Sequence, residues 1–191
     1  MNLNSEMESI PSTKHRGKVC GIGVNDAPFT TSMRKDGKMY HHTAYKDWHN
    51  MINRCYSGKY PSYRGVVVSE EWHHFMDFYL WWQMNYHDGF QLDKDLFGDK
   101  LKYSPATCRY IPLWMNCSLH GGGKPGVHYH KASGLYRSGK DGIFGTFEDE
   151  DSAWKVWRNN FVNTKDYDIW NSLDISIRER FCKLKDICMI F

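Results

Sequence analysis

Residues 90–119 read FQLDKDLFGDKLKYSPATCRYIPLWMNCSL, and the reading of this stretch decides the fold. Phe90 to Leu96 has the short, bounded pattern of a strand, followed by a turn around Gly98 and Asp99. Cys108 to Ile111 is the returning strand. Pro112 then suits the first position of a helix, where its missing N–H costs nothing, and that helix carries Leu113, Trp114, Asn116 and Cys117. The segment is thus predicted to be a strand–loop–strand–helix unit. Two of its features invite chemistry: Asp93-Lys94-Asp95 at the strand end and Asn116 on the helix. Each also has a plainer reading. The Asp-Lys-Asp run suits a solvated strand end or a hairpin ion pair, and Asn116 suits a residue that satisfies backbone groups at a buried helix.

Working back from this unit, Ser69 stands where an N-cap belongs. Glu70 and Glu71 follow in the first turn, where negative charge suits the helix dipole. Trp72, Phe75, Phe78 and Trp82 form one apolar face of a helix running to about Asn85, and Tyr79 and Trp81 add contacts on other sides. His73 and His74 lie on this helix and are candidate catalytic groups, although half-buried structural histidines are the simpler reading. Val66 to Val68 is a short strand, and residues 57–65 form a turn region. Tyr45, Trp48, Ile52 and Cys55 repeat at helical spacing, which predicts a helix over Ala44–Tyr56. Residues 26–43 read as an extended loop, Val19 to Asn25 as a short strand or turn, and residues 1–18 as a flexible arm.

Working forward, His120 to Gly126 (HGGGKPG) reads as a linker. Residues 125–161 place Gly-rich turns at short regular intervals, the signal for a three-stranded meander. An acid-headed helix follows, with Ala153, Trp157 and Phe161 on one face. Residues 162–191 form a helical segment in which Leu173, Ile177, Phe181, Leu184 and Cys188 repeat at helical spacing, to cover a core face or make a homodimer contact.

Composition sets the class. Of 191 residues, 41% are hydrophobic and 16% aromatic, the balance of a globular chain rather than a disordered one. The N-terminus lacks an apolar run, so no secretory signal is expected. No stretch approaches the roughly 18 apolar residues that span a bilayer. The expected location is therefore cytoplasmic, the host cytoplasm if the chain is phage-encoded, with no membrane partner. The six cysteines include no pair at the two-residue spacing of a zinc knuckle, which favours thiols over a structural zinc. The net charge is only +3 but is unevenly spread. Residues 1–65 hold ten Lys/Arg against five Asp/Glu, residues 66–100 two against seven, and residues 101–145 six against one. Two basic blocks flanking an acidic one fit phosphate contact around a metal site.

Residues 45–78 (YKDWHNMINRCYSGKYPSYRGVVVSEEWHHFMDF), followed by QLDKD and YSPATCRYIPLWMN, resemble the free-standing homing endonuclease-like proteins of tailed phages, which are similar to HNH, or ββα-metal, nucleases. The resemblance covers residues 19–120. It implies a DNA endonuclease of homing or nicking type that holds a divalent metal, Mg²⁺ or Mn²⁺, between Asp93 on the strand and Asn116 on the helix. Residues 125–161 (GVHYHKASGLYRSGKDGIFGTFEDEDSAWKVW and beyond) resemble a shortened AP2 DNA-binding domain. That resemblance implies contacts to double-stranded DNA from His128, His130, Lys131, Arg137 and Lys140. The expected class is α+β: a ββα-metal core with flanking helices, plus a small three-stranded sheet and helix.

The chain departs from the HNH pattern at two points. Lys94 follows the strand aspartate where typical members carry the histidine base, and Thr107 stands where relatives carry the central asparagine. Lys94 can stabilise phosphate charge but is a poor base near neutral pH unless desolvated. His73, His74, His87 or Tyr63 could supply the base from another element. A DNA-binding protein without cleavage activity is the alternative.

Overall fold

The computed structural model describes residues 2–12 and 17–187; Cys188 of the expected tail face lies outside them. The chain is α+β. Its elements are, in order, α1 (Leu3–Glu8), β1 (Ser32–Lys35), β2 (Lys38–His41), α2 (Thr43–Tyr56), β3 (Val67–Val68), α3 (Phe75–Asn85), β4 (Phe90–Asp93), β5 (Lys102–Tyr103), β6 (Arg109–Pro112), α4 (Leu113–His120), β7 (Val127–His130), β8 (Leu135–Ser138), β9 (Thr146–Phe147), α5 (Glu150–Phe161), α6 (Lys165–Ser172) and α7 (Ile175–Lys185). Among the described residues no helix is long and apolar enough to cross a membrane. The chain divides into two compact units, Met1–Asp88 with Phe97–Tyr110, and Gly89–Leu96 with Ile111–Phe191. This grouping differs from the expected boundary near residue 120: β4 and α4 belong with the C-terminal residues.

The first unit is built on rings. Trp48 on α2, and Trp72, Phe75 and Phe78 on and before α3, are fully buried, and Trp48 Nε1 donates to Trp72 O at 2.7 Å. Large rings supply much buried area per residue, which suits a small core. The helix expected to start at Ser69 starts later. Glu70–His73 is a 3₁₀ turn, and His74 is extended at ψ 130. Phe75 N donates to Val24 O at 2.9 Å, while Asp26 Oδ1 accepts from Met76 N at 2.9 Å. A non-local aspartate therefore caps α3, and Ser69 Oγ makes no hydrogen bond.

Two further expectations for this unit are corrected. Within the expected flexible arm, Leu3–Glu8 is a helix with Met7 fully buried. Glu8 Oε1 bonds His42 Nε2 at 2.9 Å and Tyr79 Oη at 2.8 Å, and Asn4 Oδ1 accepts from Thr43 N at 3.0 Å. Within the expected loop at 26–43, β1 and β2 form an antiparallel hairpin. Asp36 and Gly37, at φ 49 and 74, make its turn, the backbone that an Asp-Gly pair favours.

β4 and β6 form a two-stranded sheet, and β6, whose Ile111 and Pro112 begin the second stretch of the second unit, leads into α4. The strand–strand–helix order is as expected, with Pro112 one residue earlier than expected, as the N-cap of α4. Strand β4 ends at Asp93 rather than Leu96 because Asp93 Oδ2 accepts from Asp95 N and Leu96 N, at 2.9 and 2.8 Å, and turns the chain. β7, β8 and β9 form the expected three-stranded antiparallel sheet. Helix α5 packs on this sheet: a Cβ on Gly126, at φ +70, would lie 2.0 Å from Trp157 Nε1. The expected linker at 120–126 is tied down, with Lys124 N donating to Glu150 Oε1 at 2.7 Å and Lys185 Nζ donating to Gly121 O at 2.8 Å. The tail forms two helices, α6 and α7, divided at Leu173 and Asp174. Trp170 and Phe181 from them surround Trp114 of α4, with Phe181 edge-on at 5.7 Å.

Candidate functional site

The second unit gathers three charged groups at the end of β4. Asp93, Lys94 and Asp95 are 3%, 7% and 8% exposed. Ordinary strand ends leave such residues in water, so the solvated reading of this run does not hold; the ion pair does, as Lys94 Nζ donates to Asp95 Oδ1. His120, the last residue of α4, brings Nδ1 to 3.7 Å from Asp95 Oδ2. One ligand atom from each of Asp93, Asp95 and His120 lies within 4.8 Å of the other two. Arg180 Nε, on α7, donates to Leu96 O at 2.9 Å and fixes the loop just past the cluster.

Asn116 stands four residues before His120 on α4, so the two share a helix face. Its Nδ2 donates to Gln91 Oε1 at 2.8 Å, and Gln91 lies two residues before Asp93, on the same side of β4. Its Oδ1 is buried without a hydrogen-bond partner. An orphaned buried amide oxygen is costly and calls for an explanation. Two carboxylates and an imidazole form a donor set that suits a divalent cation such as Mg²⁺ or Mn²⁺, and the Asn116 amide lies on the His120 face of the same helix. Burial pushes the Asp93 carboxyl above its ordinary range; the Leu96 N–H opposes this shift and the neighbouring Asp95 charge adds to it.

The other candidate bases, and Thr107, are held by partners within the first unit. His73 Nε2 bonds Val68 O at 3.1 Å, with its ring edge-on to Tyr56. His74 Nδ1 bonds Asp26 Oδ2 at 3.0 Å, and its side chain is 53% exposed. His87 Nδ1 bonds Asn85 O at 3.0 Å. Thr107 closes a tight turn, with its N–H donating to Ser104 Oγ at 3.2 Å and its hydroxyl to Lys102 O at 3.1 Å. Sequence reasoning placed Asp95 beside the site but gave it no role, and it missed His120. The available signal was the Asn-x-x-x-His spacing of 116 and 120, which stacks both groups on one helix face.

The three-stranded sheet carries the second candidate surface. Its register pairs His128 with Arg137 and Arg137 with Thr146, so this row lies on one face together with His130. Val127 and Ser138, on the opposite face, are buried. Of the expected DNA contacts, His128, His130 and Arg137 therefore share one face. Lys131 stands in the turn after β7 and Lys140 in the loop after β8, and both are exposed. Because β7 and β8 are antiparallel, the two lysines flank the row at opposite ends of the sheet.

No protein-family model matches the chain, and no curated protein and no solved structure is similar to it.

Proposed function

We propose that this protein is a metal-dependent endonuclease of the ββα-metal type that hydrolyses phosphodiester bonds in double-stranded DNA. The observation that carries this reading is the convergence of Asp93, Asp95 and His120 at the junction of β4 and α4, with the unpartnered Asn116 oxygen on the same helix face. Asp93 and Asn116, expected to hold the ion, are joined in this reading by Asp95 and His120. A bound divalent ion would supply Lewis-acid stabilisation to the scissile phosphate and its leaving oxygen. Asp93 is positioned for such an ion because two backbone N–H groups hold its Oδ2 and leave Oδ1 for coordination. His120, with a side chain 60% exposed, stands where solvent and a phosphate can reach it. The sheet face bearing His128, His130 and Arg137, flanked by Lys131 and Lys140, is proposed to hold the duplex, with phosphate contacts that weaken as salt rises. β-sheet readers dock in DNA grooves in this way.

A second reading is favoured by one observation: Lys94, in the place of the usual histidine base, is buried in an ion pair with Asp95. In that reading the chain binds duplex DNA and does not cut it. Incubating supercoiled plasmid with Mg²⁺ or Mn²⁺ separates the two. Nicking by the wild type that Asp93→Asn abolishes supports the nuclease; duplex binding without cleavage under either metal supports the binding protein.

A further inference from the structure

The nuclease reading gives Lys94 no step, yet burying a lysine is costly unless its charge is matched. Lys94 Nζ rests on Asp95 Oδ1, and the neighbouring Asp93 carboxylate is buried in the same turn. With His120 neutral, two carboxylates and one ammonium leave the cluster a single negative charge. A divalent ion entering beside Lys94 would turn that into a net positive charge, in a place where Coulomb repulsion is poorly screened. If the ammonium left as the ion entered, the cluster would be neutral. The donor atoms point the same way. Asp93 Oδ2 is taken by two backbone N–H groups and Asp95 Oδ1 by Lys94, so an ion bound through Asp95 Oδ2, the oxygen that faces His120, would share one carboxylate with the ammonium and meet its charge directly. The cluster is not sealed. The His120 side chain is 60% exposed, and the flexible four-carbon stem of lysine can carry its charge to water.

We propose that Lys94 is the resident counter-ion of the Asp93–Asp95–His120 centre, and that a divalent cation binds there only by displacing it. Ammonium and metal then exclude one another, and Lys94 holds the metal affinity of the free protein low. The displaced ammonium becomes available to a phosphate. This inference rests on the metal-site reading of the cluster, and its test keeps the two apart.

The test is a calorimetric titration of the full-length chain with Mn²⁺ at fixed pH, using wild type, Lys94→Met, Lys94→Arg and Asp95→Asn. Lys94→Met should bind Mn²⁺ about tenfold more tightly than wild type or better, by loss of the competing charge. Lys94→Arg, which keeps the cation, should bind no more tightly than wild type, and Asp95→Asn should bind more weakly. In wild type, saturating Mn²⁺ should increase reductive methylation of the Lys94 amine, read by mass spectrometry, because the ammonium has moved to water. This second readout decides the matter if Lys94→Met does not fold. If wild type binds Mn²⁺ and Lys94→Met binds equally or less well, with Lys94 no more reactive, the exclusion is overturned and the metal site stands. If neither folded protein binds Mn²⁺, both ideas fall.

Discussion

Two carboxylate sites, one half-buried in the first unit and one buried in the second, make an instructive pair. In the first unit, Asp47 of α2 accepts from Tyr110 Oη at 2.6 Å. Trp81 stacks on Tyr110 at 5.9 Å and Tyr86 meets it edge-on at 5.4 Å. Burial raises the Asp47 carboxyl above its ordinary value, with the Tyr110 hydrogen bond opposing, and burial raises the Tyr110 phenol, with the Asp47 charge adding to the shift. In the second unit burial also raises Asp93. By that measure the two sites are alike. They differ in what surrounds them: Asp47 is held by the Tyr110 hydroxyl, with Trp82 and the Lys46 and Arg54 charges also favouring its ionised form, whereas Asp93 sits beside a second carboxylate paired with an ammonium and an exposed imidazole that offers a further ligand atom. A buried acid therefore says little about function by itself. Donor atoms converging beside it without a packing role say more.

The largest effect that would break this contrast is at Asp93. Asp93→Asn keeps an oxygen for the Asp95 and Leu96 N–H groups, so its melting temperature should stay close to wild type. Plasmid nicking should fall by about two to three orders of magnitude. Asp93→Ala should lose activity to the same degree and in addition cost about 2 kcal/mol in chemical denaturation, as two buried N–H groups lose their acceptor. If Asp93→Asn cleaves like wild type, the site is as structural as Asp47.

The counterpart test is Tyr110→Phe. It strips a carboxylate of its buried donor and should destabilise the fold by about 1–3 kcal/mol while leaving activity per folded molecule unchanged. A loss of activity without a loss of stability would move Asp47 into the functional class.

Proton linkage gives a finer measure. A carboxyl whose folded pKa is raised contributes stability that is fully present below the unfolded value of about 3.9 and is lost as pH rises through the folded value. Asp47→Asn removes this titration and keeps an acceptor for Tyr110. Thermal melts should therefore show the variant gaining on wild type as pH rises from about 4, with the difference levelling off once Asp47 is ionised. A difference that stays constant with pH would show that Asp47 does not titrate as a buried acid.

The smallest effect belongs to the exposed sheet face. Arg137→Ala should lower duplex affinity by about tenfold and reduce the salt dependence by about one phosphate contact, measured by fluorescence anisotropy at several salt concentrations. An unchanged salt slope would remove Arg137 from the proposed interface.

Much of the scaffold was legible along the chain. The helical spacing of Tyr45, Trp48 and Ile52 placed α2 to within one residue at its start, and the Gly-rich punctuation after Gly126 marked the three-stranded sheet. The β1–β2 hairpin was missed although Asp36-Gly37 signalled it, because the flanking strands are mostly polar and half-exposed and show no apolar alternation. The start of α3 was misplaced for a different reason. Ser69 is a good local cap, but Asp26, far away in sequence, binds the helix N-terminus instead. The candidate site was half legible: Asp93 and Asn116 stood out by type and position, while His120 looked like the first residue of a linker.

Apart from α1 and the β1–β2 hairpin, most of the order of strands and helices came from the sequence by itself, because periodicity and turn residues act over a few neighbours. Only the tertiary structure decided which charges lost their water and which met one another. The field at a carboxylate depends on every atom packed around it, and chain spacing does not record those atoms; neither the Tyr110 hydroxyl that closes over Asp47 nor the His120 ring that approaches Asp93 and Asp95 can be read from their positions along the chain.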